Sequence, residues 1–428
     1  MIFVPPTPHS QPLTPNSKFL TVLKICSTFA GRFEPNVSME KIKFTNLLTR
    51  DECQAMKGLA ILSIVIHNLC HWTALRQGTN EFGYWQACAD LLRQYLHQPD
   101  GNWFIVLMSF LGQYGVQTFL FLSGYGLVLK YEQGNGTGVN RFQFVGEHYI
   151  KLFRLMLIPL AVTWYIAHTW GARGFDPAVM TSWKWICAQV FMYNNVMPNP
   201  TMNIFPGPYW FLGLMVQLYI IYSFILWVKP GEHCQWRGWV LPIIFLVACW
   251  YPQVNMAHEG ADCPLITVRY NFPVAGIPFS LGLLCARYLK IPKFRHWWSI
   301  IISHAWWAGL MAVGVYYFFN MQFEYEKWLW AGLPYTLALM GLVRALGPWL
   351  IKPMVWVGII SSAMFVVHPA LRILADNYLR ANEITDPGAI TQVLIYYTVA
   401  SIAVAACYNF LLRLIPSTKW VTKYNGKQ

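Results

Sequence analysis

Residues 56–72 read MKGLAILSIVIHNLCHW. A lysine, Lys57, opens the stretch, an uncharged apolar run follows, and an imidazole, His67, comes ten positions after the lysine. In an α-helix rising 1.5 Å per residue, His67 would sit about 15 Å beyond Lys57. That is half the ~30 Å thickness of a bilayer's hydrocarbon core. An ionisable group at such depth is costly and needs a partner or a task. Spacing alone leaves two readings. His67 is either a core histidine with one satisfied hydrogen bond, the commoner case, or an imidazole placed to exchange a proton near neutral pH. His71, one turn further on, reads as an interface residue.

The rest of the chain demands the same solvent. Of 428 residues, 56% are hydrophobic and only 11% charged, with a mean hydropathy of +0.37. A soluble domain carries about 25% charged residues. The 21 Trp suit a membrane interface, where one end of a ring is apolar and the other wet. Apolar runs predict spans at 57–76, 115–131, 149–170, 208–228, 237–252, 272–289, 298–320, 328–346, 354–375 and 389–415. The expected fold is therefore all-α and polytopic, with about ten transmembrane helices and both termini cytoplasmic. Phe82–Leu96 reads as an interfacial helix. Trp183–Tyr193 is apolar but too short to span, so it reads as re-entrant or interfacial, with Asn194 and Asn195 needing cover from protein or water.

Residues 1–49 form a cytoplasmic lead-in, 50–417 the membrane domain and 418–428 a basic tail. Residues 1–38 lack a span and a cleavage pattern, and Met39 opens the compact basic segment MEKIKFTNLLTR, so Met39 is the expected native start.

The net charge of +13 raises the question of nucleic acid, but its distribution answers it. Most Lys and Arg fall on one side of the spans, whereas Arg76, Arg93, Arg173, Lys184, Arg269, Lys327, Arg372 and Arg380 fall on the other. This is the positive-inside bias of an inner membrane, and no nucleic-acid partner is expected. The ten Cys show no CxxC and no Cys/His ligand spacing, so no metal is expected. Most behave as small hydrophobes, and only Cys88 and Cys263 are placed to pair on the outer side.

Five stretches, in order, resemble the acyltransferase 3 family of membrane O-acyltransferases. Lys57 and His67 match its signature of a basic residue followed by His ten positions on. FLFLSGY, with Ser123, Gly124 and Tyr125, is similar to its Ser-Gly-Phe stretch, and YIKLFRLMLIP, with Lys151 and Arg154, to its basic pair. PYWFLGLMVQLYIIY, with Trp210, Gln217 and Tyr219, resembles its Trp-Phe-Leu helix, and AMFVVHPALR, with His368 and Pro369, its His-Pro span. The chain departs from the family at Gln54, where many members are acidic, at Met215 and Val216, where some carry Glu, and at Phe365, usually Tyr. An acidic partner for His67 is thus not identified.

The resemblance implies a cytoplasmic acyl-CoA donor, most often acetyl-CoA, as co-substrate, with no permanently bound cofactor. It implies an acceptor hydroxyl on a cell-surface glycan, lipid-linked sugar or related envelope molecule, and a place in the bacterial inner membrane. His67 is then the expected general base. Lys57, Lys151 and Arg154 are the expected donor-binding cations, although charge alone fits lipid headgroups as well. Ser123, Trp210, Gln217, Tyr219 and His368 are candidates for the cavity or acceptor site. For Ser123, helix packing is favoured over a nucleophilic role. Trp210 reads equally as a sugar platform or an interface anchor. His368 either lines the cavity, the favoured reading, or fills the carbonyl gap left by Pro369. Two rival classes stand beside the enzyme: a transporter or flippase of a lipid-linked sugar, and an inactive membrane scaffold.

Overall fold

The computed structural model describes residues 47–73, 80, 83–132, 140–228, 236–256, 268–288, 291–303 and 307–415, all within the unit Thr45–Gln428. The Met39 start, the basic tail and Cys263 lie outside the described residues.

Helix α1, Arg50–Cys70, starts a full turn before the apolar run. Its capping box explains why: the Glu52 amide donates to Thr49 Oγ1 at 3.1 Å and the Thr49 amide donates to Glu52 Oε2 at 2.7 Å. Such a cap is worth about 1 kcal/mol. Helix α2, Gln86–His97, overlaps the segment expected as an interfacial helix, Phe82–Leu96, and α3, Trp103–Leu111, follows it. A single 3-10 turn, Gly112–Tyr114, joins α3 to α4, Gly115–Tyr131. The expected span at 115–131 is therefore the second part of one apolar stretch, Trp103–Tyr131.

Helix α5, Arg141–Trp170, is capped by Asn140 and contains Pro159, whose carbonyl accepts from Thr163 Oγ1. The short α6, Trp183–Val190, is the one expected not to span. Helix α7, Trp210–Ile221, widens into a π-helical turn at Tyr222–Leu226. Then come α8, Trp236–Met256; α9, Phe272–Tyr288; α10, Pro292–Ser303; α11, Trp307–Met321; α12, Gly332–Ala345; α13, Pro348–Ala381; and α14, Pro387–Leu414.

Among the described residues, seven stretches are long and apolar enough to cross a membrane: α1, α3 with α4, α5, α7 with its flanking turns, α8, α13 and α14. The remaining expected spans correspond to α9, 17 residues long, to α10 and α11 in two pieces, and to α12, with 14 residues. Among the described residues there is no β-strand longer than an isolated bridge.

Packing separates inner from outer helices. Helices α5, α8 and α14 leave large hydrophobics such as Leu157, Ile158, Ile244, Val247, Tyr396 and Val399 exposed on the protein, a surface suited to lipid tails. Helices α1, α3, α4, α7 and α13 are mostly or half buried. Two glycine pairs bring the central backbones together. A Cβ on Gly58 would overlap the Met354 carbonyl and one on Gly358 the Gln54 carbonyl, locking α1 to α13. Gly124 and Gly282 stand in the same relation to Phe279 and Phe121, locking α4 to α9. Small residues at such crossings replace the hydrophobic drive that lipid does not supply.

The core has two main clusters, and α1 serves both. Its first half (Ala55, Met56, Ala60) packs with α4, α7, α9 and α12. Its second half (Ile61, Val65, Leu69) packs with α13, α14 and the middle of α5. At the end of the bundle where α1 begins, Arg287 of α9 donates to both carboxylate oxygens of Glu132 at 2.9 and 2.7 Å. The same guanidinium donates to the carbonyls of Leu226 and Gly238, and Tyr222 Oη donates to Glu132.

Candidate active site

His67 lies in the second half of α1, only 3% exposed, at the point where α3 turns into α4. Gly112 makes that approach possible, since a Cβ there would lie 2.5 Å from both His67 Cβ and the Ser63 carbonyl oxygen. The turn in turn sets the imidazole. His67 Nδ1 is 3.2 Å from the Met108 carbonyl oxygen, which can only accept, so the proton belongs on Nδ1 and the basic lone pair on Nε2. A backbone carbonyl thus helps to orient His67. Glu52, the nearest acidic residue to Gln54 in the helix, is committed elsewhere, accepting from Arg344 Nε at 2.8 Å.

The ring faces a cavity of about 290 Å³. Helix α1 contributes Ile64, His67, Asn68, His71 and Trp72 to its wall, and the start of α4 contributes Gln113 and Val116. The loop before α7 adds Phe205, Gly207 and Pro208, then Trp210, while Tyr270 comes from the segment before α9. Phe365 and Arg372 of α13 and Arg173 after α5 complete it. These segments lie towards the far end of α1, away from Lys57. The His67 and His71 rings are 5.3 Å apart.

Much of the wall is held by the short α6 and the loop behind it. Asn195, 1% exposed, donates to the carbonyls of Trp210 at 2.7 Å and Tyr270 at 2.6 Å. Gln189 donates to the Phe205 carbonyl at 2.6 Å, and Asn194 donates to Gln189. The polar ends of this non-spanning segment are therefore covered by protein, as irregular backbone at membrane depth requires. Arg372, 5% exposed, stacks on Trp72 with its guanidinium carbon 3.6 Å from the ring centroid and donates to Asn68 Oδ1 at 2.7 Å.

The expected site residues divide. His67 and Trp210 line the cavity together. Ser123 bonds back to the Phe119 carbonyl at 2.7 Å within its own helix. Gln217 ties α7 to α9, donating to Asn271 Oδ1 at 2.7 Å and accepting from the Phe272 amide at 3.1 Å. Tyr219 packs 4.4 Å from the ring of His148, a buried histidine on α5 that sequence reading passed over. His368 is wholly buried, its Nδ1 donating to the Met364 carbonyl at 3.1 Å, and is absent from the cavity wall. The three cations lie in the halves of α1 and α5 nearer the other end of the bundle, each with its own surroundings. Lys57 is half buried near Cys53, Lys151 is exposed near Lys130 and Glu147, and Arg154 donates to the Ile415 carbonyl at 2.9 Å.

Sequence reading also missed Asn68, Trp72, Arg173, Tyr270 and Arg372. Arg372 was visible in AMFVVHPALR, where the His-Pro pair drew the attention. The Met108 carbonyl has no sequence signal at all.

A multi-pass helical membrane protein with a histidine-bearing cavity is the class these features define. The acyltransferase 3 family profile, described as an acyltransferase domain, matches residues 51–412, and the chain belongs to that family. No curated protein matches the sequence.

Proposed function

We propose that this protein is an integral-membrane O-acyltransferase, with His67 as the general base that activates an acceptor hydroxyl held in the cavity. The observation carrying this reading is the imidazole itself: its Nδ1 lies 3.2 Å from a backbone carbonyl, and the residue lines an aromatic-rich cavity. The acceptor oxygen attacks the carbonyl carbon of an acyl thioester while Nε2 takes the hydroxyl proton. The C–S bond then breaks, and the imidazolium returns the proton to the departing thiolate. The products are an ester and a free thiol.

The donor in this proposal is acyl-CoA, acetyl-CoA in the first instance, approaching from the cytoplasmic end. Lys57, Lys151 and Arg154 lie towards that end and suit the CoA phosphates. The acceptor is a hydroxyl of a cell-surface glycan or lipid-linked sugar entering from the outer face of a bacterial inner membrane, with Trp210 as a platform for its ring. This places both termini in the cytoplasm and reads α9, α10 with α11, and α12 as further crossings, about ten in all.

The test is thioester cleavage by purified protein in lipid nanodiscs. Wild type should release CoA from acetyl-CoA, and His67→Ala should lower the rate by about 10²–10⁴-fold at unchanged yield. Undiminished cleavage by His67→Ala removes the base assignment. Movement of a lipid-linked sugar with no CoA release favours the transporter reading.

A further inference from the structure

The cavity carries more information than a place for a hydroxyl. Two guanidiniums, Arg372 and Arg173, line it, whereas among the described residues no carboxylate does. Asp376 sits behind the wall, 3% exposed at its side chain, and is shared between Arg173 at 3.0 Å and Arg380 at 3.0 Å. One carboxylate thus orients two arginines. Arg372 is held differently, by stacking on Trp72 and by its bond to Asn68, the residue next to His67. A Cβ on Gly207 would lie 3.9 Å from Arg372 Nη2, so glycine leaves room beside that nitrogen.

An arginine lodged on an indole, with its fork fixed, is a rigid binder of planar anions. Resting on the reading of this cavity as the acceptor site, we infer that the acceptor is an anionic sugar derivative whose carboxylate or phosphate is bound by Arg372, assisted by Arg173, while Trp210 and Tyr270 face the sugar. The anion fixes the molecule in one orientation and so selects which hydroxyl meets His67 Nε2. Arg372 is a specificity-determining residue in this scheme and takes no part in proton transfer.

Equilibrium binding to the full-length protein in nanodiscs tests this with three probes: a glucuronic-acid disaccharide, its neutral glucose counterpart, and a short isoprenyl phosphoglucose. At least one anionic probe should bind roughly tenfold or more tightly than the neutral one, with the gap narrowing at high salt. Preference for the uronate identifies a carboxylated glycan, and preference for the phosphate identifies a lipid-linked sugar. Arg372→Gln should erase the gap, Arg372→Lys should keep part of it, and Arg173→Gln, at a half-exposed position, should narrow it in a protein whose fold is unaffected. Equal binding of neutral and anionic probes, no binding of either anionic probe, or a full gap in both Gln variants overturns the inference. Thioester cleavage on the same preparation separates the two claims. Anion preference without cleavage removes the transferase reading alone, and cleavage without anion preference removes the anion site alone.

Discussion

His67 Nδ1 bonds a group that no side-chain mutation can delete, the Met108 carbonyl. Its orientation is therefore best tested through the ring and through the turn that brings the carbonyl to it. His67→Asn retains a side-chain donor near the Nδ1 position but has no base. It should melt within a few degrees of wild type yet lose activity as fully as His67→Ala, by about 10²–10⁴-fold. Gly112→Ala should lower stability and turnover together. The new methyl meets His67 Cβ and the Ser63 carbonyl, both 2.5 Å away, and forces the turn outward. A stability loss of about 1–3 kcal/mol is expected, with reduced turnover from a displaced imidazole. A Gly112→Ala protein with wild-type turnover and melting temperature would show that the close approach is dispensable. His67 was legible because an imidazole ten residues into an apolar run is conspicuous. Its partner was not, because a carbonyl leaves no letter in the sequence.

Between helices, the glycine pairs and the buried ion pair make separate demands. Gly358→Ala would drive a methyl into the Gln54 carbonyl, whereas a Cβ on Gly126 of α4 meets nothing within 4 Å. The first variant should accumulate poorly in membranes or melt well below wild type, and Gly126→Ala should be indistinguishable from it; fluorescence-detected gel filtration after a heating series reads both. Glu132 and Arg287 are both essentially unexposed, so removing either strands a charge in the interior. Glu132→Gln and Arg287→Met should each cost about 3–5 kcal/mol, and the double variant less than the sum of the two. Additive losses would mean that the pair is not coupled. The sequence announced the helices through apolar runs, but their ends depended on local chemistry. The capping box at Thr49 carries α1 back beyond Lys57, and the Gly112–Tyr114 turn, which reads as a break, lets the chain continue from α3 into α4.

The whole bundle was readable as helical and membrane-embedded because eleven charges in a hundred residues cannot solvate a soluble surface of this size. What stayed hidden was assembly across distance. Trp72, Arg173, Tyr270 and Arg372 reach one cavity from four separate parts of the chain, and none forms a spaced motif with His67. The Trp-Phe-Leu and Ser-Gly stretches marked helices correctly but little of a wall: among the described residues Pro208 and Trp210 of the first line the cavity and none of the second does. The two core clusters also share a single helix, so a residue on α1 is positioned by both of them.

One feature of α1 matters for the cell as much as for the reaction. Between Lys57 and the first cavity residue, Ile64, the helix presents Ala60 and Ile61, neither with any exposed surface. On this helix face those two side chains leave no water path from Lys57 to the cavity around His67, so a donor arriving from the Lys57 end, as proposed above, has to reach the cavity past other helices. Bilayers holding the purified protein should therefore show no steady proton or ion current above background, and a measurable leak would contradict the seal.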